Sequence, residues 1–349
     1  MRFDKQIKVA DRIVSNDSPV FIIAEAGVNH GGDMQKAFQL IDAAANAGAD
    51  AVKFQAFKTE HLILSDVDKA PYQTKTTSSQ ESQYDMLKRL EVTYEQNVKL
   101  KDYCVSRGII FLTTPFDEHS LHELDRLELA AYKVASTDLT NLPFLIEIAK
   151  KGRPIFLSTG MSYLSEVEMA LQEIEQYNKQ VVLLACTANY PIKDEEANLN
   201  NIETFRDTFE MLVGYSDHTV GVGAAPFSVP MGAKVVEKHF TLDKTEQGPD
   251  HRASLLPDEL KNLVAQIRRI ESYMGSHQKV PTVSELGTRA SLQKCMVAKT
   301  AIKQGEIFST DNITAKRTGG QGVSPLYFRK VIGKTAQKDY AVNQLIEVN

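Results

Sequence analysis

The chain has no tryptophan, three cysteines and no excess of positive charge. Cys104, Cys186 and Cys295 lie far apart, are odd in number and form no Cys-x-x-Cys pair. A disulfide scaffold and a structural zinc knot are therefore not expected, and a reducing, cytoplasmic location is. The net charge of −5 supplies no global basic field, which argues against a nucleic-acid partner. Any anionic ligand must be met by local positive charge. No apolar run reaches the roughly 18 residues that a membrane span needs. Met1 to Asp17 is charged throughout and lacks an apolar signal core. The uncharged stretch Thr219 to Ala233 holds glycine and proline, is too short to span, and reads as a buried helix.

What is present is a repeat of short β-branched runs and longer helical patterns. Strands are predicted at Val20–Glu25, Ala51–Gln55, Ile109–Thr113, Tyr132–Ala135, Pro154–Ser158, Val181–Cys186, Met211–Tyr215 and Lys234–His239. Helices are predicted at Met34–Ala47, Glu95–Arg107, Glu118–Arg126, Pro143–Lys151, Ser165–Tyr177, Asn200–Phe209, Gly221–Met231 and Pro257–Tyr273. Eight strand–helix units in succession predict a parallel sheet, and eight is the number that closes a (β/α)8 TIM barrel. An open doubly wound sheet is the main rival, but no Gly-x-Gly-x-x-Gly follows the first strand. Ile7–Val14 reads as a hairpin around Ala10-Asp11 that plugs the barrel bottom. Residues 56–94 form a long second βα connection, on the face where such loops are functional. Gly275–Glu285 reads as a polar linker, and Met296–Ala298, Ile313–Lys316 and Leu345–Val348 as strands of a small, mostly-β module. The expected division is a barrel at 1–275, a linker at 276–290 and the small module at 291–349.

In such a barrel the catalytic groups sit at the C-terminal strand ends. Here every candidate strand ends in polar or ionisable residues. Glu25 ends the first and Lys53 and Gln55 end the second. The third runs into Thr114, and the fourth carries Lys133 and reaches Ser136. Ser158 ends the fifth, Tyr190 follows the sixth and Ser216 follows the seventh. Glu237 and His239 end the eighth. Alternation along a strand puts Lys53 with Gln55 and Glu237 with His239, while Val52, Phe54 and Val236 point the other way. An inward lysine or glutamate is unfavourable unless paired or liganded; the plainer alternative for each lysine is a salt bridge at the barrel rim. His218 and His239 end neighbouring strands and form a candidate two-histidine metal site, open for water or substrate oxygen. Asp217 or Glu237 is the candidate to orient one of them. Asp250, in the Gly248–Arg252 loop, is a candidate to face the site or else part of an ordinary turn. Lys316-Arg317, taken alone, reads as a solvated strand end. His30, His119, His122, His277 and the three cysteines read as structural or solvent-facing.

The stretches FIIAEAGVNHGG (21–32), GADAVKFQAF (48–57), FLTTPFD (111–117), AYKVASTDLTN (131–141), FLSTGM (156–161), GYSDHTVG (214–221), GAKVVEKHFTLDK (232–244) and GPDHRASL (248–255) resemble the sialic acid synthases, which include N-acetylneuraminate, legionaminate and pseudaminate synthases. Residues 301–322 resemble that family's small SAF, or antifreeze-like, β-clip domain. The resemblance implies a transferase that condenses phosphoenolpyruvate with an N-acyl mannosamine-type sugar to give a nonulosonic acid and phosphate. It implies that Lys53, Lys133, Ser136, Ser158 and Ser216, with Thr114, bind phosphoenolpyruvate. His218 and His239 would ligate a divalent metal, Mn2+ or Mg2+, and Glu25, Tyr190, Glu237 and Asp250 would contact the sugar and the reacting centre. Arg317 would reach the N-acyl group in the other subunit of a domain-swapped homodimer, reversing its surface reading. The segment Cys186-Thr187-Ala188-Asn189-Tyr190-Pro191 departs from the family pattern, which often has Asn or Ser where Ala188 stands. The alanine has no polar group to offer phosphate; Asn189 is the candidate to replace it, although its side chain is expected to point elsewhere. N-acetylmannosamine is the expected sugar and 2,4-diacetamido-2,4,6-trideoxymannose the alternative; the GPDHRAS stretch looks more neuraminate- or legionaminate-like than pseudaminate-like. The rivals are a metal-dependent pyruvate aldolase, a Schiff-base aldolase and a non-catalytic carbohydrate-binding protein.

Overall fold

The computed structural model of the chain describes residues 1–70, 74, 77 and 81–347. It divides into two compact units, Met1–Gly275 and Ser276–Asn349. The first opens with an antiparallel hairpin, β1 (Gln6–Val9) and β2 (Arg12–Ser15), turning at Ala10 with φ 54°. Eight strands follow: β3 (Phe21–Gly27), β4 (Ala51–Ala56), β5 (Ile110–Pro115), β6 (Tyr132–Val134), β7 (Ile155–Ser158), β8 (Val181–Cys186), β9 (Leu212–Asp217) and β10 (Val235–His239). They form one sheet in the order β5-β4-β3-β10-β9-β8-β7-β6, every registered pair parallel. This is an eight-stranded α/β barrel, and β5 and β6 lie side by side where the ring closes.

Local chemistry explains the elements. The helix Met34–Ala47 starts where Asp33 accepts from Gln35 N and stops at Gly48, whose φ of 81° only glycine adopts readily. Its buried Ala37, Leu40, Ile41, Ala44 and Ala47 form one stripe against the sheet. The helix Tyr94–Arg107 starts with a Thr93–Gln96 capping box and ends at Gly108.

Strand alternation divides the barrel wall. Val52, Phe54 and Val236 join the layer beneath the helices. Phe21, Ile23, Leu112, Phe156, Leu184 and Val235 point inward and meet Ile7, Val9 and Val14 of the hairpin, so the hairpin seals the bottom of the barrel with apolar side chains.

Several expectations change. The helix predicted at Gly221–Met231 shrinks to Ala225–Ser228. Gly221, Gly223 and Gly232 take positive φ, and Val220 and Phe227 are exposed, so Thr219–Ala233 is a glycine-punctuated loop rather than a buried helix. The segment read as a linker carries a ten-residue helix, Val283–Leu292, with no buried residue. The connection at 56–94 falls partly outside the described residues. Its described part holds the helices Thr59–Leu62 and Gln83–Lys88 and a small apolar cluster of Val28, Phe57, Met86 and Leu90.

In the second unit β11 (Lys294–Ala298) pairs antiparallel with β12 (Ile313–Arg317) over a core that includes Met296, Ile302, Phe308, Val331 and Tyr340. The strand expected at Leu345–Val348 is a single bridge from Leu345 to Val297, and Val348 lies outside the described residues. Among the described residues no helix is long and apolar enough to cross a membrane.

Gly214 in β9 gives a direct check on the barrel interior. A Cβ there would sit 2.5 Å from the Val235 carbonyl oxygen and 2.6 Å from Leu184 Cδ2. Gly214→Ala should cost about 1–3 kcal/mol, as overpacking does, and should lower the urea midpoint with little change in slope. An unchanged midpoint would contradict the register of β9 with its neighbours.

Candidate active site

The inward alternation that is apolar at the barrel bottom becomes charged at the C-terminal strand ends. Register places Glu25 beside Lys53, His239 beside Glu25 and Glu237 beside Ser216. Lys53 Nζ lies 2.7 Å from Glu25 Oε2 and 4.0 Å from Glu237 Oε2, and donates to Thr114 Oγ1 at 3.0 Å. Lys133 Nζ lies 3.6 Å from Glu237 Oε1 and donates to Ser158 Oγ at 2.7 Å. Ser216 Oγ donates to Glu237 Oε1 at 3.1 Å, and Gln55 Nε2 to Glu25 Oε1 at 3.3 Å. Each of the four charged residues is at most 3% exposed. Desolvating an ion costs several kcal/mol even after relaxation, so the cluster persists only through these mutual contacts.

Its electrostatics separate the two carboxylates. Burial pushes the Glu25 carboxyl up to about 7, against the pull of Lys53. Burial works the same way on Glu237, but Lys133 and Lys53 together hold it below the usual carboxylate range. One acid therefore titrates near neutrality while the other stays ionised between two ammonium groups. Burial also raises Asp250, to about 6. Gly27, at φ 53° after a bulge in β3, lets these groups converge. A Cβ there would come 3.2 Å from Glu25 Oε1, 3.4 Å from Gln55 Nε2 and 3.6 Å from Asp250 Oδ2.

His218 and His239 face one another across the mouth with ring centroids 5.4 Å apart. Tyr190 lies against both, 4.1 Å from the His218 ring and 5.3 Å, edge-on, from that of His239. His218 Nδ1 is 2.7 Å from the Thr187 carbonyl oxygen. The carbonyl can only accept, so Nδ1 carries a proton; burial works to lower the His218 pKa, but Cys186 and this carbonyl hold it above the usual histidine range. His239 is held neutral, first by burial and then by His218 and Lys53, and its Nδ1 has no hydrogen-bond partner; Asp250 Oδ2 stands 3.9 Å from it. Two facing imidazoles suit a divalent cation that completes its shell with water or substrate oxygen, with His218 binding in its neutral form and so releasing a proton. Among the described residues no cluster of three His, Cys, Asp or Glu side chains is placed to hold a metal ion.

Not every candidate converges. Asp217 touches neither imidazole: it points through the opposite face of β9 to Lys238, 2.7 Å away. Glu237 is the inward carboxylate. Arg317 is exposed at the end of β12 in the second unit, opposite Lys294. Asn189 is exposed, and its Oδ1 accepts from Tyr190 N at 3.2 Å. Ala188 packs against Gly160 so closely that a Cβ on that glycine would lie 2.7 Å from the alanine's. His30 is buried, with Nδ1 accepting from Gly32 N at 3.0 Å.

Cys186 departs from its structural reading. Its thiol accepts from Ser136 Oγ at 3.7 Å and lies 3.9 Å from His218 Nδ1. Ser136 Oγ in turn accepts from Gly160 N at 3.0 Å. The alternation of Val182, Leu184 and Cys186 places this thiol inside the barrel, a signal that counting along the strand supplies.

Known proteins bear directly on this arrangement. Residues 40–279 match the NeuB family. The N,N'-diacetyllegionaminic acid synthase of Campylobacter jejuni is 45% identical over 93% of this chain and 98% of its own. Human N-acetylneuraminate-9-phosphate synthase is 36% identical over 96% and 95%. A crystal structure of N-acetylneuraminic acid synthetase from Leptospira borgpetersenii, in complex with citrate, superimposes with a TM-score of 0.73 at 34% identity over 83% and 98%.

The two buried lysines form a candidate anion pocket, and Lys133 makes it testable by itself. Lys133→Ala should weaken binding of inorganic phosphate, measured by calorimetry, at least about tenfold, as expected for a charge-assisted contact in a desolvated site. Unchanged affinity would remove Lys133 from the pocket.

Proposed function

Because the chain belongs to the NeuB family, we propose that it condenses phosphoenolpyruvate with an N-acylated mannosamine-type sugar, releasing phosphate and forming a nonulosonic acid. The observation that carries this reading is the pair of buried lysines, each tied to a hydroxyl and to Glu237, beside two facing imidazoles. A substrate with both carboxylate and phosphate needs two cations held in one geometry, and an aldehyde partner needs polarisation next to them. The sugar is N-acetylmannosamine or its 2,4-diacetamido-2,4,6-trideoxy relative. Identity favours the second: two legionaminate synthases stand at 45% and 42%, against 36% for the human neuraminate-9-phosphate enzyme and 34% for a pseudaminate synthase.

In this reading Lys53 and Lys133 hold the carboxylate and phosphate, with Ser136, Ser158, Ser216 and Thr114 supplying hydroxyls. Carbon 3 of phosphoenolpyruvate attacks the aldehyde carbon, whose oxygen takes up a proton managed by Glu237 or Asp250; water adds at carbon 2, and phosphate leaves by carbon–oxygen cleavage. Glu25, titrating near neutrality beside Lys53, takes the proton of that water. Glu237, held ionised, favours the charged form of both lysines, against the burial that pulls Lys133 below the usual lysine range. His218 and His239 would hold Mn2+ or Mg2+. When bound, that ion supplies Lewis-acid polarisation of the aldehyde oxygen. Tyr190, Gln55 and Asp250 line the sugar side.

Residues 291–349, within the second unit, are read as an SAF-type module, and the enzyme as a cytoplasmic, domain-swapped homodimer with C2 symmetry. Arg317 of one copy would then meet the N-acyl group in the barrel of the other. The exposure of Arg317, and of Val283 and Leu286 on a helix without buried residues, supports this assembly.

Incubation with phosphoenolpyruvate, Mn2+ and each sugar should release phosphate only when a sugar is present, and fastest with the true one. Pyruvate consumption without phosphate would indicate an aldolase, and borohydride trapping a Schiff base. The pH profile gives a second check. Glu25 is protonated below about 7 and ionised above it, so as a base it becomes competent as pH rises. kcat/KM for phosphoenolpyruvate should climb through that value. Glu25→Gln should abolish the limb and lose roughly 10²–10⁴-fold in rate; a limb retained in the variant would assign the proton elsewhere.

A further inference from the structure

The outward faces of β9 and β10 share an ion pair that the proposed chemistry does not use. Asp217 and Lys238 are register partners, 0% and 1% exposed. Lys238 Nζ donates to Asp217 Oδ2 at 2.7 Å and to the Thr219 carbonyl oxygen at 2.6 Å. Asp217 also accepts from Thr219 N at 2.9 Å, Thr219 Oγ1 at 2.8 Å and Ala225 N at 3.0 Å. Lys238 thus holds the residues on both sides of His218, while itself preceding His239 in the chain. Stability is a poor explanation for such a pair, because well-packed apolar replacements of buried ion pairs are often as stable. Position is a better one. A loop with Gly221 and Gly223 follows β9, and the registered pairing of β9 with β10 runs only as far as Asp217 and Lys238, so the ion pair ties the two strands where the backbone ladder ends, one residue before His218 and His239.

We propose that Asp217 and Lys238 are positioning residues that hold the His218 and His239 strand ends at the spacing a divalent cation requires. This rests on the two-histidine reading above. Alternation supplies the means: residues 217 and 238 tie the strands outside the barrel, and their successors act inside or above it.

The test measures Mn2+ binding by electron paramagnetic resonance of the free ion, and phosphoenolpyruvate binding by equilibrium dialysis without metal. Lys238→Met removes the cross-strand tie and leaves Asp217 its donors Thr219 N, Thr219 Oγ1, Ala225 N and the Tyr215 hydroxyl. Mn2+ affinity should fall roughly 10–100-fold, as when groups behind metal ligands are lost, with phosphoenolpyruvate affinity unchanged. Should that variant fail to fold, the double variant Asp217→Asn with Lys238→Met, which leaves no buried charge unpaired, carries the same expectation. Unchanged Mn2+ affinity in a folded variant, with binding still abolished in His218→Ala, overturns the positioning role and leaves the two-histidine reading standing. Equal losses of Mn2+ and phosphoenolpyruvate overturn it in favour of a general scaffold role. Wild-type Mn2+ binding that is absent, or that survives His218→Ala, sinks the two-histidine reading and this inference with it.

Discussion

Lys53 and Lys133 share Glu237 at the mouth of the barrel, at 4.0 and 3.6 Å, and much of the surrounding structure follows from keeping these charges buried. Each ammonium needs an anion and a hydroxyl within reach, or its desolvation would not be offset. Glu25 and Thr114 complete Lys53, and Ser158 completes Lys133. These partners come from several different strands, so only a closed or nearly closed sheet brings them together. The apolar layers below, capped by the hairpin, seal the barrel bottom and keep the medium around the cluster weakly polar. In that medium one carboxyl is pushed towards neutrality and the other is locked as an anion.

The same constraint organises the two imidazoles. They stand at the rim beside the cluster, where His239 is kept neutral by burial and nearby positive charge. The Thr187 carbonyl fixes the tautomer of His218. β9 and β10 work on both faces: inside they present Ser216, Glu237 and His239 to the site, and outside they are stapled through Asp217 and Lys238. A one-residue slip in either strand would exchange the two sets, which is why register matters more here than any single contact.

Much of this is legible because a barrel strand is read by parity. Lys53 with Gln55, and Glu237 with His239, fall on one face by counting alone, with Val52, Phe54 and Val236 on the other. The same count places Cys186 inward and Asp217 outward. Residue type points the other way, towards a structural cysteine and an aspartate partnered with histidine, and here position overrules type. The stretch Thr219–Ala233 resists reading because an uncharged composition suits both a buried helix and a loop. Gly221, Gly223 and Gly232 decide for the loop through positive φ, which composition does not reveal.

The sequence alone determined the eightfold strand–helix repeat, the inward polar ends of the strands and the kinship of the chain, since periodicity, residue type and motif are local properties of the polymer. Only the tertiary structure decided which charges meet. It paired Lys53 with Glu25 and both lysines with Glu237, and brought Asp250 to within 3.9 Å of His239. The physical reason is distance: most of these partners are far apart along the chain. Their pKa values and contacts depend on separations of a few ångströms that exist only once the barrel has excluded water and set the register.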